Sequence, residues 1–411
     1  LSLPYTHRRR LAALGAAVAT SVATVMVGGP VSAAPATGEI LFAGGATAVA
    51  DSYIVVLKDS AVGGRAGTQQ TTVASKASTL AERYDGKVGY VYGDALNGFE
   101  TKMSEQAAKR LAADPAVDYV EQNHTVSLAT TQTNPPWGLD RIDQHNLPLS
   151  ATYNYTSTGS GVTAYIIDTG IHISHTDFGG RAIHGYDAVD NSLPAADCNG
   201  HGTHVAGTVG GTRYGVAKQV RLVGVRVLNC SGSGTNAGVI AGVNWVTSNH
   251  GAGQPAVANM SLGGGLNTSL NNAVANSIRD GVSYAVAAGN SNANACNYSP
   301  ASVATALTVG ATQSNDARAS FSNWGTCLDL FAPGVSVLSA WYTSNTATNT
   351  ISGTSMAAPH VAGAAARVLQ NNPSWSPAQV HSHLVNTATP GVVTNPGTGS
   401  PNRLLYVSPT A

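Results

Sequence analysis

Charge is what this 411-residue sequence has least of: Lys, Arg, Asp and Glu make up 10% of it, against ~25% in an average soluble protein. Its 21 bases only balance its 21 acids, so the basic excess that a nucleic-acid binder uses to hold phosphates is missing. Cysteine is scarce too, and the four present form no C-x-x-C pair, which argues against a zinc ribbon. What the chain does have is apolar and small. Hydrophobic residues reach 43%, mean hydropathy is zero and glycine occurs 46 times. Such a chain buries a sizeable core and makes many tight turns or close backbone approaches, and its composition is not that of a disordered protein.

The few charges are unevenly placed. Residues 1–128 hold 11 acids and 11 bases, while the longer remainder holds 10 of each, with no Glu and one lysine, Lys218. All four cysteines also lie in the remainder. That shift predicts a boundary near residue 128. Residues 1–34 read as a signal peptide: Arg8, Arg9 and Arg10 precede an apolar stretch from Leu11 to Val27, and small residues follow through Val31-Ser32-Ala33-Ala34. The stretch has 17 residues, short for the ~20 of a membrane span, so a cleaved signal is expected rather than a retained anchor. Twin arginines leave the export route open. Residues 35–51, rich in Ala, Gly and Thr, read as a linker.

Within 52–128, Tyr53 to Leu57 is a β-branched run, and Val73, Ala77, Leu80 and Tyr84 share one helical face. Strands are expected at 88–92 and 98–103. A second helix begins at Ser104, a good N-cap, and stops at Asp114-Pro115, before a last strand from Val117. The order βαββαβ makes a small α+β, ferredoxin-like module. From Ala129 onward, apolar runs at 162–168, 221–228, 256–262, 282–290 and 306–311 lack two-residue alternation, which means strands buried on both faces. Helices are expected after His201 and over 235–249, 267–280 and 354–370. This is an α/β fold, a doubly wound and mostly parallel sheet with helices on both faces, whose ligands sit at the carboxyl ends of the strands.

Four motifs fall at such ends: Asp168-Thr169-Gly170 closes a strand, His201-Gly202-Thr203-His204 opens a helix after Asn199-Gly200, Ala288-Gly289-Asn290 ends a strand, and Gly353-Thr354-Ser355-Met356 opens another helix. Taken singly, each has a bland reading. Asp168 also suits a strand-end turn, His204 a structural neighbour, and Asn290 a left-handed turn. The pair His201 and His204 lacks the i, i+4 spacing and the Glu of a zinc-protease helix. Taken jointly they supply a nucleophile, a base and an orienting acid. A serine hydroxyl needs a base within hydrogen-bond reach and a third group that fixes the base's tautomer. Ser355, His201 and Asp168 fill those places, and Ser355 at a helix N-terminus offers an unpaired N–H to a developing oxyanion. Pro359 sits badly, because a proline four residues on costs a helix bond and predicts a later helix start.

These motifs resemble the subtilisin-like serine proteases, in particular the proteinase K branch. Pro136-Trp137-Gly138-Leu139-Asp140-Arg141-Ile142-Asp143 and Pro401-Asn402-Arg403-Leu404-Leu405-Tyr406 look most like aqualysin-type secreted members. Residues 52–128 resemble the family's inhibitor-type propeptide, through Leu96-Asn97-Gly98-Phe99. The resemblance implies an Asp-His-Ser endopeptidase, with Asn290 supplying the second oxyanion donor. It also implies that a substrate peptide lies extended between Ser231-Gly232-Ser233-Gly234 and Ser261-Leu262-Gly263-Gly264 as an added strand. No acid or base occurs in either segment, so a broad apolar or aromatic preference before the cut is expected. An α/β-hydrolase esterase would need G-x-S-x-G and the order Ser, Asp, His, and an inactive binding protein on this fold would lack a triad member.

Four cysteines allow three pairings; the resemblance implies Cys198 with Cys230 and Cys296 with Cys327. It further implies structural Ca²⁺ at Asp329 with the carbonyls of Ala304 and Ala306, and at Asp140, Asp143, Gln144, Ser150 and Thr152, with no organic cofactor. Side chains that merely cap turns would look the same. Residues 129–411 are then a secreted catalytic domain, expected to act as a monomer on extended polypeptides, with no nucleic-acid or membrane partner after signal removal and no C-terminal extension. The propeptide would fold and inhibit it, leaving by a cut between Leu128 and Ala129.

Overall fold

The computed structural model describes residues 36–44, 48–67, 69–125 and 130–410; the signal peptide expected at 1–34 and the cut expected between Leu128 and Ala129 lie outside them. Two compact units emerge among the described residues, one of 36–41 with 53–121, the other of 42–52 with 122 onward.

The first sheet joins β1 (Ile40–Leu41), β2 (Ala48–Leu57), β3 (Lys87–Tyr92), β4 (Gly98–Lys102) and β5 (Val117–His124) in the order β1-β5-β2-β4-β3. Helices α1 (Asp59–Val62), α2 (Gln70–Arg83) and α3 (Glu105–Ala112) connect them. The face read from the sequence is the buried one: Val73, Ala77 and Leu80 of α2 pack with Tyr53, Val55, Phe99 and Leu111. Ser104 caps α3, its Oγ accepting from Ala107 N.

The second unit starts with β6 (Thr130–Thr133), α4 (Trp137–Ile142) and β7 (Thr152–Tyr155). Next come β8 (Thr163–Asp168), β9 (Ala182–Asp187), α5 (His201–Gly210), β10 (Arg221–Arg226), α6 (Asn236–Asn249), β11 (Ala256–Met260) and β12 (Gly264–Gly265). After them run α7 (Thr268–Asp280), β13 (Val282–Ala287), β14 (Tyr298–Ser299), β15 (Leu307–Thr312), β16 (Leu330–Pro333), β17 (Val337–Ala340) and β18 (Thr348–Ile351). Last are α8 (Thr354–Asn371), α9 (Pro377–Thr387), β19 (Thr389–Pro390) and β20 (Arg403–Leu404). Nine of these strands form one sheet, β19-β20-β16-β15-β13-β11-β8-β10-β9, parallel except for the β19–β20 pair.

Apolar residues cover both faces of this sheet, as the uninterrupted runs imply. Along β8, Ala164 and Ile166 join a core that includes Val205 of α5 and Val361 of α8, while Tyr165 and Ile167 join Val243 of α6 and Val274 of α7. The chain turns back at β8: β10 and β9 lie on one side of it, β11, β13, β15 and β16 on the other. Such a reversal opens a crevice at the strands' carboxyl ends. Disulfides join Cys198 to Cys230 and Cys296 to Cys327, each worth about 3 to 4 kcal/mol on the chain-entropy model.

The start of α8 differs from the sequence reading. The helix begins at Thr354 and carries Pro359 inside it. Proline has no N–H for the Ser355 carbonyl, and Ser261 Oγ donates to that carbonyl at 2.7 Å instead. A side chain from the neighbouring strand end thus replaces the missing helical bond.

Two of the buried histidines of this unit are His204, bonded to the Val337 carbonyl, and His360, bonded to the Met356 carbonyl. Burial pushes each imidazole down to about 4. Between pH 6.5 and about 4 the unfolded chain therefore holds more protons, so stability is lost as pH falls, by roughly 3 kcal/mol per histidine at most. Denaturant unfolding of Ser355→Ala protein, which avoids self-digestion, should show stability dropping from pH 6.5 to 4.5. A flat profile there would contradict the neutral burial of these rings.

Candidate active site

Asp168 is the last residue of β8 and is fully buried. His201 opens α5, and its Nδ1 lies 2.8 and 2.9 Å from the two oxygens of Asp168. An imidazole so held donates from Nδ1 and leaves Nε2 as its acceptor. Two glycines permit this closeness. Gly200, before the histidine, has φ +111°, and a Cβ on Gly202 would lie 2.2 Å from the Gly170 carbonyl. Burial pushes the His201 imidazole down, but the charge and hydrogen bond of Asp168, with the charge of Asp197, outweigh it and leave the pKa raised.

Ser355 is the second residue of α8, in the turn whose amides lack intrahelical acceptors. Its Oγ donates to the Ser261 carbonyl at 3.1 Å, and among the described residues no hydrogen bond joins it to His201. The hydroxyl has to turn from Ser261 to reach a base on the cleft side, and catalytic bonds commonly tighten only around substrate. Asn290 follows β13. Its Oδ1 accepts from both Thr354 N and Thr354 Oγ1, at 2.8 and 2.9 Å. Because a backbone amide can only donate, this fixes the side-chain flip and leaves Nδ2 as the outward donor. A Cβ on Gly353 would stand 3.5 Å from both Asn290 Nδ2 and Ser355 N, so the two donors flank one small space. A negative oxygen in it would meet two N–H groups at a helix N-terminus.

Several partners were not read from the sequence. Asn323, fully buried, accepts from Ser291 N and Ala293 N and donates to the Ala288 carbonyl, clamping the loop that carries Asn290. Thr354 orients the Asn290 amide, and Asp197 gathers amides before His201. The one signal in the sequence was proximity, since Thr354 adjoins Ser355 and Asp197 precedes His201 by four. Asn323 gave none.

The crevice divides into two adjoining pockets. One, of about 730 Å³, is lined by His201, Gly232, Ser233, Gly234, Ser261 and Leu262 among others. The other, about 210 Å³, is lined by Leu262, Gly263, Ala287, Asn290, Ala301 and Ser355 among others. Neither is lined by an acid, and His201 is the only histidine along them. The two predicted substrate segments therefore face one cleft.

The predicted calcium ligands also gather. Asp140 accepts from Ser150 N, Ser150 Oγ and Ala151 N, while Asp143 Oδ2 accepts from the Asn154 amides. Gln144 Oε1 accepts from Ser150 N, and Ser150 Oγ lies 2.8 Å from Thr152 Oγ1. Asp143 Oδ1 is buried with no partner, and burial, with the charge of Asp140 adding, holds that carboxyl above its usual range against the bonds from Asn154. An all-oxygen cluster with an orphaned carboxylate oxygen fits a hard cation. At the other set, Asp329 is already met from within: its Oδ1 faces His381 Nε2 at 3.1 Å and its Oδ2 accepts from Thr308 N at 2.7 Å. The fit there is poorer, because both carboxylate oxygens already have partners within the protein.

Comparison with known proteins gives a consistent picture. The Subtilase family model matches residues 159–404, and the Peptidase inhibitor I9 model matches residues 52–129. The chain is 59% identical over 320 residues to an extracellular serine proteinase of Thermus sp., covering 78% of each. It is 53% identical over 366 residues to alkaline serine exoprotease A of Vibrio alginolyticus, which spans 87% of this chain and 68% of that one. A solved cold-adapted subtilisin-like serine proteinase is similar at 58% identity and a TM-score of 0.65, over 67% of this chain and 99% of the other.

The raised His201 pKa has a measurable sign. By NMR on Ser355→Ala protein, His201 should titrate above pH 6.5, and Asp168→Asn should bring it down because the paired charge is gone. A wild-type midpoint below 6.5 would mean that burial, not the carboxylates, dominates.

Proposed function

Because the chain belongs to the subtilase family and is a serine peptidase made with an inhibitor-type propeptide, we propose that Ser355, His201, Asp168 and Asn290 carry its chemistry. His201 Nε2 takes the Ser355 proton as Oγ attacks the scissile carbonyl carbon. Asp168 stays ionised and steadies the imidazolium. The carbonyl oxygen, now negative, enters the space beside Gly353 between Ser355 N and Asn290 Nδ2. Collapse breaks the C–N bond, and His201 returns the proton to the leaving amine. Water, deprotonated by the same imidazole, then attacks the acyl carbon, and the imidazolium returns that proton to Ser355 Oγ as the ester bond breaks. The observation that carries this reading is that shared space, with its two donors fixed before substrate arrives.

The substrate is an extended polypeptide laid between residues 231–234 and 261–264, with the residue before the cut in the pocket of about 210 Å³. Leu262, Ala287 and Ala301 support an apolar or aromatic preference there. Residues 52–128 act as folding module and inhibitor and leave by a cut at Leu128–Ala129, after a signal at 1–34 and a linker at 35–51. Among the described residues no helix is long and apolar enough to cross a membrane; one relative is named as extracellular, which supports a secreted enzyme, and we take it to act as a monomer. Ca²⁺ bound by Asp140, Asp143, Gln144, Ser150 and Thr152 would tie α4 to β7, and a second ion at Asp329 with the Ala304 and Ala306 carbonyls would displace His381.

Casein hydrolysis by the mature enzyme should be lost in Ser355→Ala, which should accumulate uncut. Asn290→Ala should lower kcat by about 10² to 10³, a magnitude measured within this same family, with KM little changed. Full activity in Ser355→Ala would overturn the assignment.

Chelating calcium should lower the melting temperature, since an ion held only by the folded state stabilises it. In Asp143→Asn that calcium-dependent difference should shrink or vanish; if it stays at the wild-type size, this cluster is not the site.

A further inference from the structure

Asp197 is 7% exposed and forms no salt bridge among the described residues. Five donors surround it instead. Its Oδ1 accepts from Asn199 N, Gly200 N and Thr169 Oγ1, each at 2.9 Å, and its Oδ2 accepts from Thr203 N at 2.9 Å and Thr203 Oγ1 at 2.5 Å. The N-cap of α5 is Gly200, which has no side chain to offer. The helix's first amides are satisfied from elsewhere: His201 N by Asn199 Oδ1, Gly202 N by Thr169 Oγ1, and Thr203 N by Asp197. Thr169 directly follows Asp168. One hydroxyl therefore links the strand end that carries the acid to the helix turn that carries the base, and it donates its hydrogen bond to Asp197.

We propose that Asp197 is a positioning residue for His201, bolting the first turn of α5 to the end of β8 through Thr169 and adding a second negative charge behind the imidazole. This deepens the proposed function and rests on it for the rate effect. If Asp197 served only to cap a helix, its loss would lower stability and leave the histidine's chemistry unchanged. A bolt and a charge act further. Misplacing His201 against Ser355 lowers kcat without touching the peptide-binding segments, and removing the charge lowers the His201 pKa. The charges that act on this ring are Asp168 on β8 and Asp197; His204, one turn on along α5, feels the charge of His201 and that of His360 on α8, and Arg226 ends β10 opposite Asp168. Arg226 is already taken by Asp187 and Asp190, and His204 and His360 are held neutral by burial, so the two carboxylates set the field.

The test compares the wild type with Asp197→Asn, Thr169→Val and Thr169→Ser on a peptide p-nitroanilide, with thermal melts to confirm folding. Asp197→Asn should lower kcat at least tenfold with KM little changed, and move the acid limb of kcat/KM to lower pH. Thr169→Val, which keeps the charge and loses the link, should lower kcat with the acid limb unmoved, and Thr169→Ser should restore it. NMR titration of His201 in Ser355→Ala and in Ser355→Ala/Asp197→Asn needs no activity, and the second should titrate lower. Equal midpoints, or an Asp197→Asn enzyme with wild-type kcat, overturn the proposal; should Asp197→Asn not fold, wild-type kcat in Thr169→Val does so. A wild type that hydrolyses no peptide would instead sink the proposed function, with the titration still deciding the charge.

Discussion

A carboxylate buried at the end of a β-strand is the constraint from which the rest of this site follows. Asp168 is fully buried, and an ionised carboxylate taken out of water is tolerable only if donors replace the water. Those donors are His201 Nδ1 and the Thr169 amide. Meeting the first of them requires the start of α5 to lie against the end of β8, which in turn needs glycine at 202, where any side chain would strike the Gly170 carbonyl. The acid therefore dictates where the histidine stands and leaves only one ring nitrogen free.

The same economy runs through a domain with few charges. Those it has are mostly spent on joining segments distant in sequence: Arg141 is buried and paired with Asp316, and Arg226 holds Asp187 and Asp190 beside the Cys198–Cys230 bridge. Removing one member of such a pair leaves a buried charge behind, which costs more than the pair contributes. Around the cleft the work passes to neutral groups, with Asn323 clamping the Asn290 loop and Ser261 accepting from Ser355 while bonding to its carbonyl. Hydrogen bonds among neutral groups keep the cleft free of fixed charge, so a charge forming there meets only the groups aimed at it.

The sequence by itself determined the layered fold and pointed to the residues proposed for the chemistry. Strands β8, β10, β11, β13 and β15 were legible because strands buried on both faces must be apolar throughout, and Asp168, His201, Asn290 and Ser355 were legible because they fall at strand ends and helix starts in one order. Tertiary structure alone decided the rest. The edge strand β9 mixes polar with apolar residues and β16, β17 and β18 are only four residues each, too little to announce themselves, and they exist because a neighbour supplies the other half of each ladder. Helix α8 begins at Thr354 despite Pro359 because Ser261, 94 residues earlier, takes the carbonyl the proline cannot. Asp197 gathers five donors, and Asn323 grips a loop 30 or more residues away. A residue's own letter states what it can donate or accept; only the folded chain states which partner comes within 3 Å of it.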